Sequence, residues 1–172
     1  MELSKMARVF LINQYEILKR LDGENSSYYA ELIEILKHGY EIFYNEIDRW
    51  VSDDMPLEKC KFILDLLDIY AYAEGYKASH PDDKDVNYHP LSYFHGFDGN
   101  TEAEYLSFTR FLIHKQGKFP EQLKYKQKTD DYNSHVSLLD RYNKMVEKWK
   151  KMGKTHIITK ENLLEIFDAS SK

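Results

Sequence analysis

Arg110 and His114 stand four positions apart, so a helix through them would place a guanidinium and an imidazole on one face. That combination suits cleavage of a phosphodiester: an imidazole titrates near neutral pH and can act as general acid and base, while a guanidinium steadies phosphoryl charge. The more common use of such a pair is a solvated helix surface with no chemical role, and that reading is preferred.

A second concentration of reactive groups lies just before it. His80, His89, His95 and His114 are four of the seven histidines, and Asp82, Asp83, Asp85 and Asp98 lie among them. Imidazoles and carboxylates could hold a divalent ion. No pair has the spacing that presents two imidazoles on one helix face, and no Cys joins them, so solvated loop histidines are expected and no metal. Asp65 and Asp68 sit at i and i+3 on an otherwise apolar stretch. Buried carboxylates require partners, which predicts a polar network of Asp65, Asp68 and Arg110, or of these aspartates with a Tyr hydroxyl. The chain has no phosphate-binding glycine loop, dinucleotide fingerprint, nucleophile elbow or paired-cysteine motif, so no cofactor is expected.

The elements that must position these groups are helical. Ser4 caps a first helix to about Leu21, whose stripe Phe10, Tyr15, Ile17, Leu18, Leu21 is dense enough for burial. Asn25-Ser26 opens a second with Tyr29, Leu32, Ile33 and Leu36, closing near Gly39. A short helix follows over 41–50. Residues 57–77, entered through Pro56, are apolar nearly all round and should form the centre of the core. Residues 79–100 read as the longest irregular segment. Thr101 and Glu104 have the form of a capping box for a helix over 102–116 with Tyr105, Phe108 and Leu112 on one face, ended by Gly117. Gly96-Phe97-Asp98-Gly99-Asn100 is turn chemistry that should fold Phe94 and Phe97 back as an apolar plug. Lys118 to Asn133 reads as an exposed loop. Ser134 should cap a penultimate helix ending at Gly153, and Thr159 a last short one. Only residues 155–159 hint at an extended stretch.

Several of these motifs, in this order, resemble the YfbU family. Its signature run is matched by Phe94-x-Gly96-Phe97-Asp98, then Thr101-Glu102-Ala103-x-Tyr105-Leu106, then Arg110-Phe111 and Gly117-Lys118-Phe119. Asn13-Gln14-Tyr15 is similar to the family's opening helix, Cys60-x-x-Ile63-x-Asp65-x-x-Asp68-x-Tyr70 to its central one, and Tyr142-x-x-Met145-x-x-x-Trp149 to its penultimate one. The resemblance covers nearly the whole chain. It implies an all-helical bacterial protein and carries no activity and no catalytic residues. The Arg110–His114 pair is also similar to the Arg–His motif of HEPN-type ribonucleases, a resemblance that implies RNA cleavage with Arg110 as phosphate clamp and His114 as general acid/base, but with three intervening residues it is one short of that pattern.

Composition bounds the rest. The 172 residues carry a formal charge of −5, which weighs against a duplex-DNA binder, although Lys115, Lys118, Lys124, Lys126 and Lys128 crowd one segment and RNA stays open. Fourteen Tyr and nine Phe suggest a wet-edged core, a subunit interface or simple compositional bias. The single Cys60 forms no internal disulfide, and the absence of long apolar runs or a leader points to the cytoplasm and no membrane. The expectation is therefore an all-α, compact single domain of about six helices spanning 1–172, with residues 57–77 packed on 102–116. Its expected role is that of a cytoplasmic homo-oligomeric interaction or regulatory protein with a protein partner, and an RNA-directed hydrolase is the alternative.

Overall fold

Ser4 accepts a hydrogen bond from the Ala7 N–H at 3.1 Å and starts the first helix, α1 (Lys5–Leu21), in the computed structural model, which describes residues 2–156 and 159–169. Among those residues the fold is all-α, with eight α-helical segments, six of them of eight residues or more, and no strand. The contacts divide the chain into two units, Met1–Asp54 and Met55–Lys172.

In the first unit α1 pairs with α2 (Ser26–His38), which ends at Gly39 in the left-handed conformation (φ 71°), followed by a 3-10 turn (Glu41–Phe43) and the single turn α3 (Asn45–Asp48). Asp22 holds the hairpin together by accepting from the Asn25 side chain at 2.9 Å and the Tyr29 hydroxyl at 3.2 Å. The core is Tyr15, Leu32, Ile33, Ile35, Leu36, Tyr44 and Ile47. Here the expected burial of α1 is corrected. Tyr15 is its one buried residue, while Phe10 is 65% exposed, Ile17 52% and Leu21 79%. The apolar residues of α1 occupy two faces: Leu11 and Tyr15 pack into the core, and Met6, Phe10, Ile17 and Leu21, spaced by 4, 7 and 4, form a separate exposed strip.

The second unit is built around α4 (Leu57–Ser79). Ile63, Leu66, Leu67, Ile69, Tyr70 and Ala73 are fully buried, as an all-round apolar helix requires. It packs on α6 (Ala103–Arg110) and α7 (Leu139–Lys151), and α7 packs on α8 (Lys160–Asp168). The expected pairing of the central helix with the 102–116 region is thus present, through an edge contact of Phe62 and Tyr105 at 6.0 Å and an ion pair of Lys59 with Glu104 at 2.7 Å. The Tyr70 ring gathers Phe94, Tyr142 and Phe167 around it at 5.5–6.4 Å, so a loop, α7 and α8 all converge on one side chain of α4. Phe94 and Phe97 are fully buried, as the plug reading anticipates.

Several boundaries differ from expectation. The irregular stretch 79–100 contains one helical turn, α5 (Lys84–Asn87), capped by Asp83. The helix after Thr101 passes into a π turn (Phe111–Lys115), closed by the Gln116 N–H on the Phe111 carbonyl at 3.0 Å. Segment 118–133 is not a solvated loop. It forms a 3-10 helix (Pro120–Tyr125), buries Gln122, Thr129 and Tyr132, and then runs through three consecutive left-handed residues, Asp130, Asp131 and Tyr132 (φ 47°, 53° and 65°). α7 starts at Leu139 rather than after Ser134. Thr159 caps α8 as expected, with Asn162 reciprocating. The extended stretch at 155–159 lies partly outside the described residues.

Gly96 shows how tightly the 94–98 turn meets the 130–134 turn. Its φ is 94°, and a Cβ there would fall 1.8 Å from the Tyr132 carbonyl oxygen, which accepts from the Phe97 N–H at 2.9 Å. Gly117 has a similar backbone (φ 65°) with open space around it. Gly117→Ala should therefore cost about 1 kcal/mol from backbone strain alone, and Gly96→Ala roughly 3 kcal/mol or more, because backbone must move as well. Urea unfolding of both variants checks this, and equal losses would contradict it.

Candidate functional site

The π turn places Arg110 and His114 on the same side, and both reach one residue. Arg110 Nε donates to the Asp131 carbonyl at 2.8 Å and lies 3.1 Å from its carboxylate, while His114 Nε2 is 2.6 Å from Asp131 Oδ1. The pair expected from sequence is therefore together, but its polar atoms hold the left-handed turn at 130–132 in place. Tyr132, next along, is fully buried, and its hydroxyl is pushed up to about 12 by burial and by the Asp131 and Glu121 carboxylates. The arrangement fits a clamp on a strained backbone.

The signature turn is organised by two carboxylates, and the expected Thr101–Glu104 capping box is replaced. Glu104 points to Lys59, and Asp98 instead closes the turn that precedes α6, accepting from the Thr101 hydroxyl at 2.6 Å, the Thr101 N–H at 3.2 Å and the Asn100 N–H at 3.3 Å. These bonds, the Thr101 hydroxyl first, hold the Asp98 carboxyl below the usual range. Glu102 closes the box by accepting from the Asp98 N–H at 2.9 Å. Its other oxygen accepts from the Ser137 hydroxyl and from the Leu139 N–H at 3.1 Å, the first residue of α7. Glu102 is thus a buried acceptor for three donors from two segments. Tyr105 adds the last signature contact, its ring 5.3 Å from Phe97.

The expected network of Asp65, Asp68 and Arg110 is not the one formed. Asp65 pairs with Lys154 at 2.6 Å and Lys150 at 3.5 Å, beyond and within the last turn of α7. Asp68 faces the same end: burial and then Asp65 raise its pKa, against Lys154 and His156, which lower it. Tyr72, one turn on, contacts His156 Nδ1 at 2.5 Å. α6 meets α4 near its first turns, at Lys59 and Phe62, whereas Asp65, Asp68 and Tyr72 form the strip that meets the end of α7. The lysines flanking buried Trp149 are drawn into the same contacts, with Lys148 on Glu165 at 2.6 Å.

The histidines of 80–114 are dispersed. His80 stacks on Tyr76, His89 on Phe167 with Asp168 at 3.2 Å, and His95 on Tyr93 with the Pro90 carbonyl at 2.8 Å. Among the described residues no three His, Cys, Asp or Glu side chains converge as a metal site would require.

An open cleft of about 610 Å3 in the second unit concentrates charge that sequence reasoning placed only in part. Buried Glu74 accepts from Lys77 and Lys124 and from the Tyr125 hydroxyl at 2.7 Å. Lys77 also donates to the Ser92 carbonyl at 2.7 Å and the Tyr125 hydroxyl at 3.1 Å. Lys128 lies 3.7 Å above the Tyr93 ring, and Tyr93 stacks on Tyr125 at 5.1 Å. Burial alone would raise the Glu74 carboxyl, but the bonds from Lys124, Lys77 and Tyr125 together hold it below its ordinary value, while burial pushes the Lys77 ammonium down. The crowding of lysines over 115–128 points toward this site. The contribution of Glu74 and Lys77 from α4 is long-range and has no local signal.

Two outcomes follow from these carboxylates. Glu102→Ala leaves buried N–H donors without an acceptor and should cost about 3 kcal/mol by urea unfolding; an unchanged midpoint would refute the capping role. Because the folded-state pKa of Glu74 is depressed, its contribution to stability is present above the unfolded value of 4.5 and is lost as pH falls through the folded value. The wild type should thus lose stability relative to Glu74→Gln below about pH 4.5, and parallel stability–pH curves would show otherwise.

Comparison with known proteins gives this arrangement a lineage. The family model described as the YfbU domain matches residues 1–169. The chain is similar to the UPF0304 protein MJECS11 of Methanocaldococcus jannaschii, with 48% identity over 169 residues, covering 97% of this chain and 99% of that protein. That relative is archaeal, so the bacterial setting implied by the sequence resemblance is too narrow for its relatives. With the family model covering both units, and a relative of nearly equal length, the chain belongs to the YfbU family.

Proposed function

We propose that the protein is a non-enzymatic, self-associating interaction protein of the cytoplasm, and that the outer strip of α1 is where two copies meet. The observation that carries this reading is the exposure of Met6, Phe10, Ile17 and Leu21 on one side of a helix whose other side packs on α2. Soluble monomers rarely leave contiguous apolar patches beyond a few hundred Å2 exposed. A second copy fits better than an unrelated partner because the strip, with Asn13 and Gln14 between its apolar residues, carries one charge, Arg20 at its C-terminal end, which an antiparallel pairing sets far from its counterpart. An antiparallel pairing of two such helices across a two-fold axis brings no like charges together. At 17 residues the helix offers about 25 Å of contact, a ridge around which an interface of roughly 800 Å2 per copy can form.

No observation favours the RNA-directed hydrolase reading, since Arg110 and His114 are engaged with Asp131 within the chain. Among the described residues no helix is long and apolar enough to cross a membrane, which accords with a protein that works through surface contacts.

Light scattering on the intact chain at micromolar concentration should give a dimer or a larger even assembly. Phe10→Glu or Ile17→Glu, each placing charge on an exposed position, should shift it to monomer while leaving helix content unchanged. A strictly monomeric wild type overturns the proposal, and an oligomer that survives both substitutions removes α1 as its interface.

A further inference from the structure

The cleft around Glu74 shares no residue with the α1 strip or the Asp131 clamp, and its charge is out of keeping with the chain. Lys77, Lys124 and Lys128 contribute three ammonium groups against the single Glu74 carboxylate, in a protein of net charge −5. Glu74 offsets one of them, leaving a local excess of positive charge in a concave site, where the low-dielectric walls strengthen its attraction for anions.

The three lysines divide into two roles. Lys77 is the buried one, and Glu74, the Ser92 carbonyl and the Tyr125 hydroxyl take its three N–H donors. It fixes the floor and has nothing left for a ligand. Lys124 is 57% exposed and has one acceptor in Glu74, so further N–H donors face outward. Lys128 is exposed, and its contact with the Tyr93 ring holds its ammonium on the cleft wall. The wall also carries Tyr88, which is 80% exposed among the described residues and offers an aromatic face to the cleft.

We propose that this cleft binds a small organic phosphate, the phosphoryl group held by Lys124 and Lys128 and the organic part lying in the cleft against Tyr88. Two outward-facing ammonium groups match a doubly charged phosphate monoester, for which lysine is a common binder. A volume of about 610 Å3 is far more than an inorganic phosphate needs and lies within the range of small-molecule sites, about 300–1,000 Å3. The Tyr88 ring offers a stacking surface for a flat or sugar-like body. The polar floor of Glu74, Lys77 and Tyr125 is already hydrogen-bonded, so it is preorganised and costs little to keep in place when a ligand arrives.

Calorimetric titration of the full-length chain with adenosine 5′-monophosphate, ribose 5-phosphate, inorganic phosphate, adenosine and citrate tests this. The expected result is saturable one-to-one binding of at least one of the two organic phosphates, tighter than inorganic phosphate, adenosine or citrate. Binding should weaken at least about tenfold in Lys124→Ala/Lys128→Ala, as loss of charge-assisted contacts requires. Lys128→Ala alone, which leaves the Glu74 bonds intact, should weaken it in the same direction. A further loss in Tyr88→Ala that is larger for the nucleotide than for ribose 5-phosphate would place the base on that ring. No saturable heat with either organic phosphate, citrate or adenosine binding equally well, or affinity indifferent to both lysine variants overturns the proposal.

Discussion

A single buried carboxylate joins the parts of the second unit that are far apart in sequence. Glu102 accepts the Asp98 N–H in the turn that precedes its own helix and the Leu139 N–H at the start of α7, with the Ser137 hydroxyl between. Neither helix has a side-chain cap from its own N-cap residue. The first N–H groups of a helix have no intrahelical partner, so this one acidic side chain satisfies an orphan donor of α7 while closing the turn that leads into α6. A negative charge at two helix N-termini is also favoured by both helix dipoles. Once Glu102 is seated, the 94–98 turn lies over α4 with Phe94 and Phe97 inward. The 130–134 turn can then bond to it through Tyr132 and Ser134.

That second turn is the costliest backbone in the molecule. Three successive non-glycine residues in the left-handed region cost on the order of 1–3 kcal/mol each, and they persist only if several contacts fix them at once. Arg110 and His114 hold Asp131 from one side. The Tyr132 hydroxyl donates to the Gln122 carbonyl from within the core, and the Thr129 hydroxyl accepts from the Tyr132 N–H. An Arg–His pair read from spacing alone as possible phosphate chemistry therefore has a mechanical use.

The helices were legible in the sequence because their signals are local. Ser4, Gly39, Gly117 and Thr159 act where their types say they should, and the all-round apolar pattern of residues 57–77 correctly marks the centre of a core. What was not legible depends on pairings across the chain. Thr101 and Glu104 satisfy the capping-box pattern, yet Lys59, 45 residues away, takes Glu104. Asp65 and Asp68 announce a need for partners without naming them, and the lysines at the end of α7 meet that need. Segment 118–133 looks polar because its buried residues, Gln122, Thr129 and Tyr132, are polar types, and the Thr129 and Tyr132 hydroxyls bond to carbonyls within the same segment. The cleft was half visible: Lys124 and Lys128 belong to a lysine-rich run, but the Glu74 that fixes its floor reads as an ordinary position of a helix.

These assignments separate the residues that identify the family from those placed to act on something else. Phe94, Gly96 and Phe97 fill the core or allow two backbones to touch, Asp98 and Thr101 close the turn before α6, and Glu102 caps the start of α7. Tyr105 packs on Phe97 and Phe62. Each makes a contact within the fold. Groups with unspent capacity lie elsewhere: the apolar strip of α1, which buries nothing in its own unit, and the outward donors of Lys124 and Lys128 beside the exposed Tyr88. Exposed apolar area and a concave excess of positive charge both raise the free energy of an isolated chain, the first through water structure and the second through self-repulsion. Both are relieved by an occupant. In this member of the YfbU family the helical frame thus leaves two surfaces with unspent capacity, the one proposed to meet a second copy and the other proposed to take a small organic phosphate.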